Sequence, residues 1–572
     1  MEVLVKVIYH GTNNHLTSDD LVNRLLHPIG GIIAVDVETV SLIDKTIIGI
    51  GIATSPDDTY YVPIYPVTSE ILEQVYLLTT RSNIKKIYHN GNFDIEGLRQ
   101  YAISHDLPEP DIWNIGDTNL MANNAGLWPD LHTLGRELLN DYSLFTIPQL
   151  LDEARRLVGK KNVTMLDVEL DKVALKCCND VRTTFRLYEF IPTHPHWNDK
   201  VKECYEVDLE LTSWLKLISR KGFKIDHQEL NTKYNKLILE AEVMEDWAEE
   251  EGFSISSNQQ VGMYLAERGV VLPLTKSGRQ LDTSEEVLEK VKHPVAKTVL
   301  DYRGIRKTLS TYIEPYIGVE RGYTNFRLDL STGRLASFDR NFQNIPPDLR
   351  TIFSPDSGIF SYGDMSQAEM RTFAFITKDP VMAKAYSDGI SIHEITFRGI
   401  YPDKVYDKNS HDYTLAKSFN FAMIFNAEDG TLSSRFKVPY KLASQIKNDW
   451  LELYHVGHQW MLQMINTDFT CNCGCGLAYV EDTFGRKMLL PDAFRGQKHI
   501  DTCKISYTIQ GSVASANKRA LLYTMKTDNP DMRLQVHDEF IVDGDYEFRE
   551  ELNEMYPGLY IPFENKKTAK WM

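Results

Sequence analysis

The sequence predicts a multidomain α/β and α+β protein, and three observations carry that expectation. A chain of 572 residues is long enough for two to four domains, each with its own core. Residues 1–195 alternate short apolar runs with helix-like stretches, as a sheet flanked by helices does. Residues 201–315 are mostly helical in pattern, and mixed structure follows from 316 to the end, with a long helical block over 373–470.

In chain order, GIIAVDVETV, TIIGIGIATS and IKKIYHNGNF read as strands, and LKCCNDVRTTFRLY reads as a helix. IPTHPHWNDK, residues 191–200, carries Pro192 and Pro195 among polar residues and reads as a domain boundary. YEVDLELTSWLKLISRKG and QELNTKYNKLILEAEVMEDWAEEEG then space apolar residues by three and four, as amphipathic helices do.

Composition narrows the class. With 42% hydrophobic and 25% charged residues the chain is globular rather than disordered. No apolar run reaches the ~18 residues of a membrane span, so no membrane partner is expected. The N-terminal MEVLVKVIYHGTNNHL lacks the apolar centre and cleavage site of a signal peptide. Seven scattered cysteines suit reduced thiols, so a cytoplasmic protein is expected. A net charge of −18 argues against a nucleic-acid partner, but only weakly, because binding depends on where Lys and Arg cluster.

Two clusters of acids interrupt this ordinary pattern. Asp36 and Glu38 lie two apart on a predicted strand, hence on one face, as a divalent-metal pair would. An edge strand with a solvated acidic face has the same pattern. Asp94, in YHNGNFDIEGL with Asn90 and Phe93, and Asp180, in the predicted helix, extend the set. Together these four acids resemble the DEDD exonuclease superfamily, in particular the 3′→5′ proofreading exonuclease domain of family A DNA polymerases. The resemblance implies an RNase H-like domain over residues 1–195 in which Asp36, Glu38, Asp94 and Asp180 hold two Mg²⁺ ions. The family's water-orienting Tyr, four residues before the last Asp, is Lys176 here, which can hydrogen-bond but adds charge.

The second cluster ends another apolar run. GDMSQAEMR, with Asp364 and Glu369, resembles the family's Asp-Tyr-Ser-Gln-Ile-Glu-Leu-Arg, and His537, Asp538 and Glu539 match its His-Asp-Glu hairpin. This implies a right-hand polymerase domain over 196–572, with thumb about 201–315, palm about 316–372 and 505–572, and fingers about 373–504. Asp364 and Asp538 would then hold two Mg²⁺ ions ~3.5–4 Å apart, with Mn²⁺ as a substitute, and adjacent acids would become favourable.

HDYTLAKSFNFAMIFN places Tyr413, Lys417, Phe421 and Phe425 at i+4 spacing along one helical face. From spacing alone this is a core stripe, which a lysine fits poorly. The resemblance makes Lys417 the phosphate-binding lysine and Phe421 the aromatic against the nucleotide. Phe425 replaces the usual Tyr, Asn426 the usual Gly, and Tyr413 a phosphate-binding Arg, which implies weaker dNTP binding than in a typical relative. His393 matches the His of the family's Asp-Ile-His and adds a phosphate contact, although Ser391 replaces the Asp. Glu369 matches the steric gate against a ribose 2′-hydroxyl.

STGRLASFDRNFQNIPPDLR, with Arg334 and Asn344, resembles the segment that grips the duplex near the primer end. Gln510 matches the residue that reads the minor groove, with Ser506 replacing the usual Asn before it, and His537 adds a DNA contact. Arg303 and Lys307 match the basic thumb helix. The expected function is template-directed DNA synthesis from dNTPs on primer–template DNA, with 3′→5′ proofreading. A compact phage-like layout, a monomer and a host cytoplasmic location go with it. No processivity or replisome partner is identifiable. The rival readings are a polymerase with an inactive exonuclease scaffold and an exonuclease whose polymerase half is only a DNA-binding platform. Cys471, Cys473 and Cys475 match nothing in the family. They read as a Gly-rich hairpin loop, since the usual metal-site spacing and a fourth ligand are missing, although alternate cysteines could share a soft metal.

Overall fold

The computed structural model describes residues 8–9, 28, 31–41, 43–64, 69–401 and 403–571. Apart from Ile8 and Tyr9, the N-terminal stretch read for signal-peptide character lies outside the described residues.

The first unit is built on a six-stranded mixed sheet of order β1-β4-β3-β2-β5-β6. Its strands are β1 (Ile8–Tyr9), β2 (Ile32–Thr39), β3 (Ile47–Ser55), β4 (Asp58–Pro63), β5 (Lys85–Tyr88) and β6 (Ile115–Asp117). β2 pairs antiparallel with β3 and parallel with β5, so it is an interior strand. Its near-continuous IIAV run follows from cover on both faces. α1 (Asn92–His105) packs against β2, and α2 (Leu170–Phe190) crosses β2, β3 and β4. Gly51 permits that crossing, because a Cβ there would lie 2.4 Å from Cys177 Sγ.

The proline-bearing stretch read as a boundary mixes exposed and buried residues. His194 and His196 are buried, and one apolar core runs through it. That core joins Leu120, Leu127 and Leu187 to Ile191, Val201 and Phe360. Pro192 and Pro195, themselves exposed, stop α2 and turn the chain, while Ile191, His194 and His196 stay buried.

α3 (Asp199–Lys221) starts at Asn198, whose side chain accepts the Val201 N–H at 2.9 Å. α4 (His227–Glu250) and α5 (Pro294–Thr308) follow, and enclose a small separate core with Phe253, Leu265 and Val299. Proline at the start of α5 lacks only an N–H that a helix leaves unbonded there.

The C-terminal half centres on a four-stranded antiparallel sheet of order β10-β11-β7-β12. These strands are β7 (Phe360–Met365), β10 (Met532–Val536), β11 (Glu539–Asp543) and β12 (Phe563–Thr568). Between β7 and β10 lie α6 (Ala368–Thr377), α7 (Ile392–Ile400), α8 (His411–Met423) and α9 (His455–Asn466). They surround a core of Phe373, Phe419, Trp450 and Tyr454. The hairpin β8 (Tyr479–Glu481) and β9 (Lys487–Leu489) and the long α10 (Gln497–Thr527) complete the half. α10 packs on α3, α6 and α9. Among the described residues no helix is long and apolar enough to cross a membrane.

A buried charge cluster ties these parts. Asp208 on α3 takes both Arg486 terminal nitrogens at 2.8 and 2.9 Å, Lys518 of α10 at 3.0 Å and the Asn124 amide at 3.0 Å. Burial would raise its pKa, but Arg486 and Lys518 overcome that and hold it at about 2.

Candidate active sites

The acids of the C-terminal half converge at one end of the sheet. Asp364 near the end of β7 is the register partner of Glu539 on β11 and of Glu564 on β12. Paired residues of antiparallel strands have Cα atoms ~4.5–5.5 Å apart. In LQVHDEFIVDG, residues 534–544, Asp538 lies outside both strands. Val536 pairs with Glu539, leaving His537 and Asp538 as a two-residue turn, with φ 56° at His537. A turn lets an acid leave the apolar pattern without breaking it. The Asp538 carbonyl accepts the Met365 N–H at 3.2 Å, which pins the turn beside Asp364.

Electrostatics record the crowding. Burial, then Glu369 and Asp364, push the Asp538 carboxyl up to about 7. Burial, then Asp364, bring Glu539 to about 7, and burial with Glu564 and Glu369 raises Asp364. Hard oxygen donors short of compensating cations fit divalent ions, and Asp364 and Asp538 are the residues that would hold them.

Basic and aromatic groups line the approach. Lys417, exposed on α8, has no ion-pair partner among the described residues, yet its charge lowers the pKa of both Asp364 and His393. His393 is buried, and burial with Lys417 nearby holds its pKa to about 4, so the ring is neutral. Its tautomer follows from its neighbours. The Asn420 carbonyl oxygen accepts from Trp450 Nε1 at 2.8 Å, so the Asn420 amide donates to His393 Nδ1 at 2.9 Å. The proton therefore sits on Nε2, which is buried without a partner. Tyr413 packs edge-on to His393 and to Tyr406, with ring centroids 6.5 and 5.7 Å apart, and Phe421 lies 5.7 Å from His393.

Phe425 does not continue the helical face, because α8 ends at Met423. Asn426 just beyond has φ 56°, a left-handed conformation that Asn tolerates and that Gly, the residue the resemblance implied there, adopts freely. Arg334 and Glu369, expected to have separate roles, are paired, with Nη2 2.6 Å from Oε1. Asn344 is exposed, and its neighbour Gln343 is buried, donating to the Gln535 carbonyl at 3.0 Å and so fixing the loop to β10. Gln510 is half-buried on α10 beside Gly511, where a Cβ would lie 2.4 Å from Met488 Sδ. Lys307 is exposed on α5. Arg303 is not a free phosphate contact. It donates to the Thr283 carbonyl and, at 2.8 Å, to Asn258 Oδ1, bracing the helices around it.

Glu564, Asn420 and Gln535 escaped the sequence reading. Asn420 left a trace, a polar residue inside an apolar helical stretch. Glu564 left none, because its place depends on long-range pairing with β7.

The N-terminal acids also meet. Asp36 and Glu38 on β2 and Asp180 on α2 come together around Lys176, and Asp94 in the first turn of α1 lies close to Asp36. Lys176 Nζ lies 2.7 Å from Glu38 Oε1 and 2.7 Å from Asp180 Oδ2, all three buried. Burial works to lower its pKa, but Asp180 and Glu38 outweigh it and hold the ammonium charged. Asp94 accepts the Val37 N–H at 3.0 Å, and burial pushes it to about 7. Burial raises Asp36 well above the usual carboxylate range, and Cys177 Sγ lies 3.3 Å from its Oδ2. Glu38 and Asp180 already hold one cation belonging to the protein, so the present arrangement does not fit a pair of Mg²⁺ ions, although ligand atoms of Asp36, Glu38 and Cys177 lie within 4.8 Å of one another.

Comparison with known proteins agrees with this geometry. The profile of "DNA polymerase family A" matches residues 223–559. DNA polymerase I of Borreliella burgdorferi is 25% identical over 593 residues, covering 98% of this chain and 63% of the relative. DNA polymerase I of Streptococcus pneumoniae is 30% identical over 383 residues, covering 60% of this chain and 42% of the relative. That of Caldicellulosiruptor bescii is 28% identical over 368 residues, covering 59% and 42%. The chain thus spans between about two fifths and three fifths of these relatives' length. Among solved structures, the POL domain of Pol1 from M. smegmatis, in complex with DNA primer-template and dNTP, superposes with a TM-score of 0.70 at 18% identity. It covers 97% of this chain and 98% of that one, which agrees with the right-hand polymerase fold. With the matched region spanning β7, the acidic turn and α8, this chain is a member of DNA polymerase family A.

Proposed function

We propose that the chain is a DNA-templated DNA polymerase that extends a primer from dNTPs. One observation carries the reading: acids short of cations on one side of the approach, and on the other an unpaired Lys417 with a buried, unpartnered His393 N–H. Asp364 and Asp538 would hold divalent ions, which when bound neutralise charge at the primer 3′-oxygen and the α-phosphate. Lys417 and His393 Nε2–H donate to the triphosphate, with catalysis resting on positioning and charge. Phe421 packs against the sugar and base, and Glu369 crowds the space of a 2′-hydroxyl. Arg334 must leave Glu369 to grip the duplex.

The N-terminal unit serves as a scaffold rather than a proofreading nuclease, because Lys176 holds Glu38 and Asp180. One experiment separates the readings: labelled primer–template with Mg²⁺, with and without dNTPs. Extension with dNTPs and an intact primer without them is expected. Shortening without dNTPs overturns the scaffold reading, and no extension overturns the polymerase reading.

A further inference from the structure

We propose that Cys471, Cys473, Cys475 and His196 form a structural zinc site. One nitrogen and three sulfurs, each able to bind a soft or borderline metal, lie within 4.8 Å of one another. Cys471 and Cys473 sulfurs are 2.7 Å apart, and Cys473 and Cys475 sulfurs 3.0 Å. His196 Nε2 lies 3.6 Å from both Cys473 and Cys475 Sγ. Zn–S bonds of ~2.3 Å and a Zn–N bond of ~2.0 Å require ligand atoms about 3.5–3.8 Å apart in a tetrahedron, within reach of small side-chain rotations.

The sequence reading lacked a fourth ligand because His196 is 275 positions before Cys471. The cysteines do not lie along a strand. Gly474 and Gly476 take φ 85° and 72°, which curls the CNCGCG loop until its sulfurs converge. The loop is closed at its base by the Cys471 N–H to the Leu477 carbonyl at 2.7 Å, and the Cys473 N–H points at Cys471 Sγ at 3.2 Å.

The histidine is prepared for a metal. His196 is fully buried, and its Nδ1 lies 3.0 Å from the Ala125 carbonyl. A carbonyl only accepts, so the proton is on Nδ1 and the Nε2 lone pair faces the sulfurs. Such an outer hydrogen bond is the usual means of orienting a ligating imidazole. The edges of His194 and Tyr479 hold the ring, with centroids 4.7 and 4.6 Å away. Buried Lys487, its Nζ 4.6 Å from the Tyr479 ring centre, lies close enough to Cys471 and Cys473 for its charge to act on them. Three cysteines and a histidine leave no position open for water, which makes the site structural rather than catalytic. Zinc here cross-links the loop before β8 to the segment before α3, beside the bridge that Ala125 makes to Lys487 of β9.

The test is metal analysis of the whole chain, expressed with zinc and purified with a non-chelating reductant and excess Mg²⁺. The expected result is one zinc per chain, retained in Asp364→Asn and Asp36→Asn. Zinc should fall below a tenth per chain in the Cys471→Ser/Cys473→Ser/Cys475→Ser triple variant, and weaken at least tenfold in His196→Ala. X-ray absorption at the zinc edge of the unaltered chain should show three sulfur neighbours and one nitrogen, and this reading stands even if the variants fail to fold. Folded protein without zinc, zinc retained by the triple variant, an oxygen-dominated coordination shell, or a Cys471–Cys473 disulfide in place of metal each overturns the proposal.

Discussion

Replacing Lys176 by Met tests whether this ammonium stands in for a metal. Met is of similar volume and removes the ammonium, with its charge and its two hydrogen bonds. Each 2.7 Å contact to Glu38 and Asp180 supplies about 6 kcal/mol of attraction at an effective dielectric near 20, before desolvation is subtracted. Breaking a buried pair while leaving its partner charged costs about 3–5 kcal/mol. Here two carboxylates are left facing each other, so the upper part of that range is expected. At ~2–4 °C per kcal/mol for a unit of this size, the melting transition should fall by roughly 8–20 °C. Calorimetry with and without Mn²⁺ provides the assay. The variant should regain most of the loss in millimolar Mn²⁺, while the unaltered protein responds far less. Lys176→Tyr, which also supplies a hydroxyl, should begin to shorten a labelled primer. A Lys176→Met variant that melts within about 1 kcal/mol of the parent and ignores Mn²⁺ would refute the reasoning.

Asp538 and Glu539 predict a pH dependence. Their folded pKa values of about 7 lie above unfolded values near 4, so the folded state binds more protons between those limits. Metal-free protein should lose stability as pH rises from about 4 to about 7, and Mg²⁺ should raise the melting temperature more at pH 8 than at pH 5. Tyr413→Arg should lower the KM for dNTP by about tenfold, as a charge-assisted phosphate contact would, in steady-state primer extension. Glu369→Ala should admit ribonucleotides at least about tenfold more readily, read as the ratio of kcat/KM values. Asp208→Ala should destabilise by about 3–5 kcal/mol in denaturant unfolding, because Arg486 and Lys518 lose their buried partner.

How far the sequence could be read depended on the range of each interaction. Strands such as IIAVDVET and helices such as α2 announce themselves through local periodicity. Asp364 and Asp538 were legible because acids interrupt apolar runs, which a core does not tolerate without cause. Placement in a turn was harder to foresee, since LQVHDEFIVDG is apolar on both sides of it. The Lys176 contacts need β2 and α2 docked together, and the Arg334–Glu369 pair needs a loop folded over α6. His196 beside three cysteines was beyond reach for the same reason. The prolines near residue 193 read as a domain boundary, and composition says nothing of the buried His194 and His196 beside them.

The continuous apolar seam through Ile191 and Val201 bears on how this molecule can be dissected. A fragment begun at α3 would bare the surface that Leu120, Leu127 and Leu187 now cover, and would be prone to self-association. Whatever its chemistry, the N-terminal unit then contributes by the helices that cover this seam, much as a subunit does in an obligate pair.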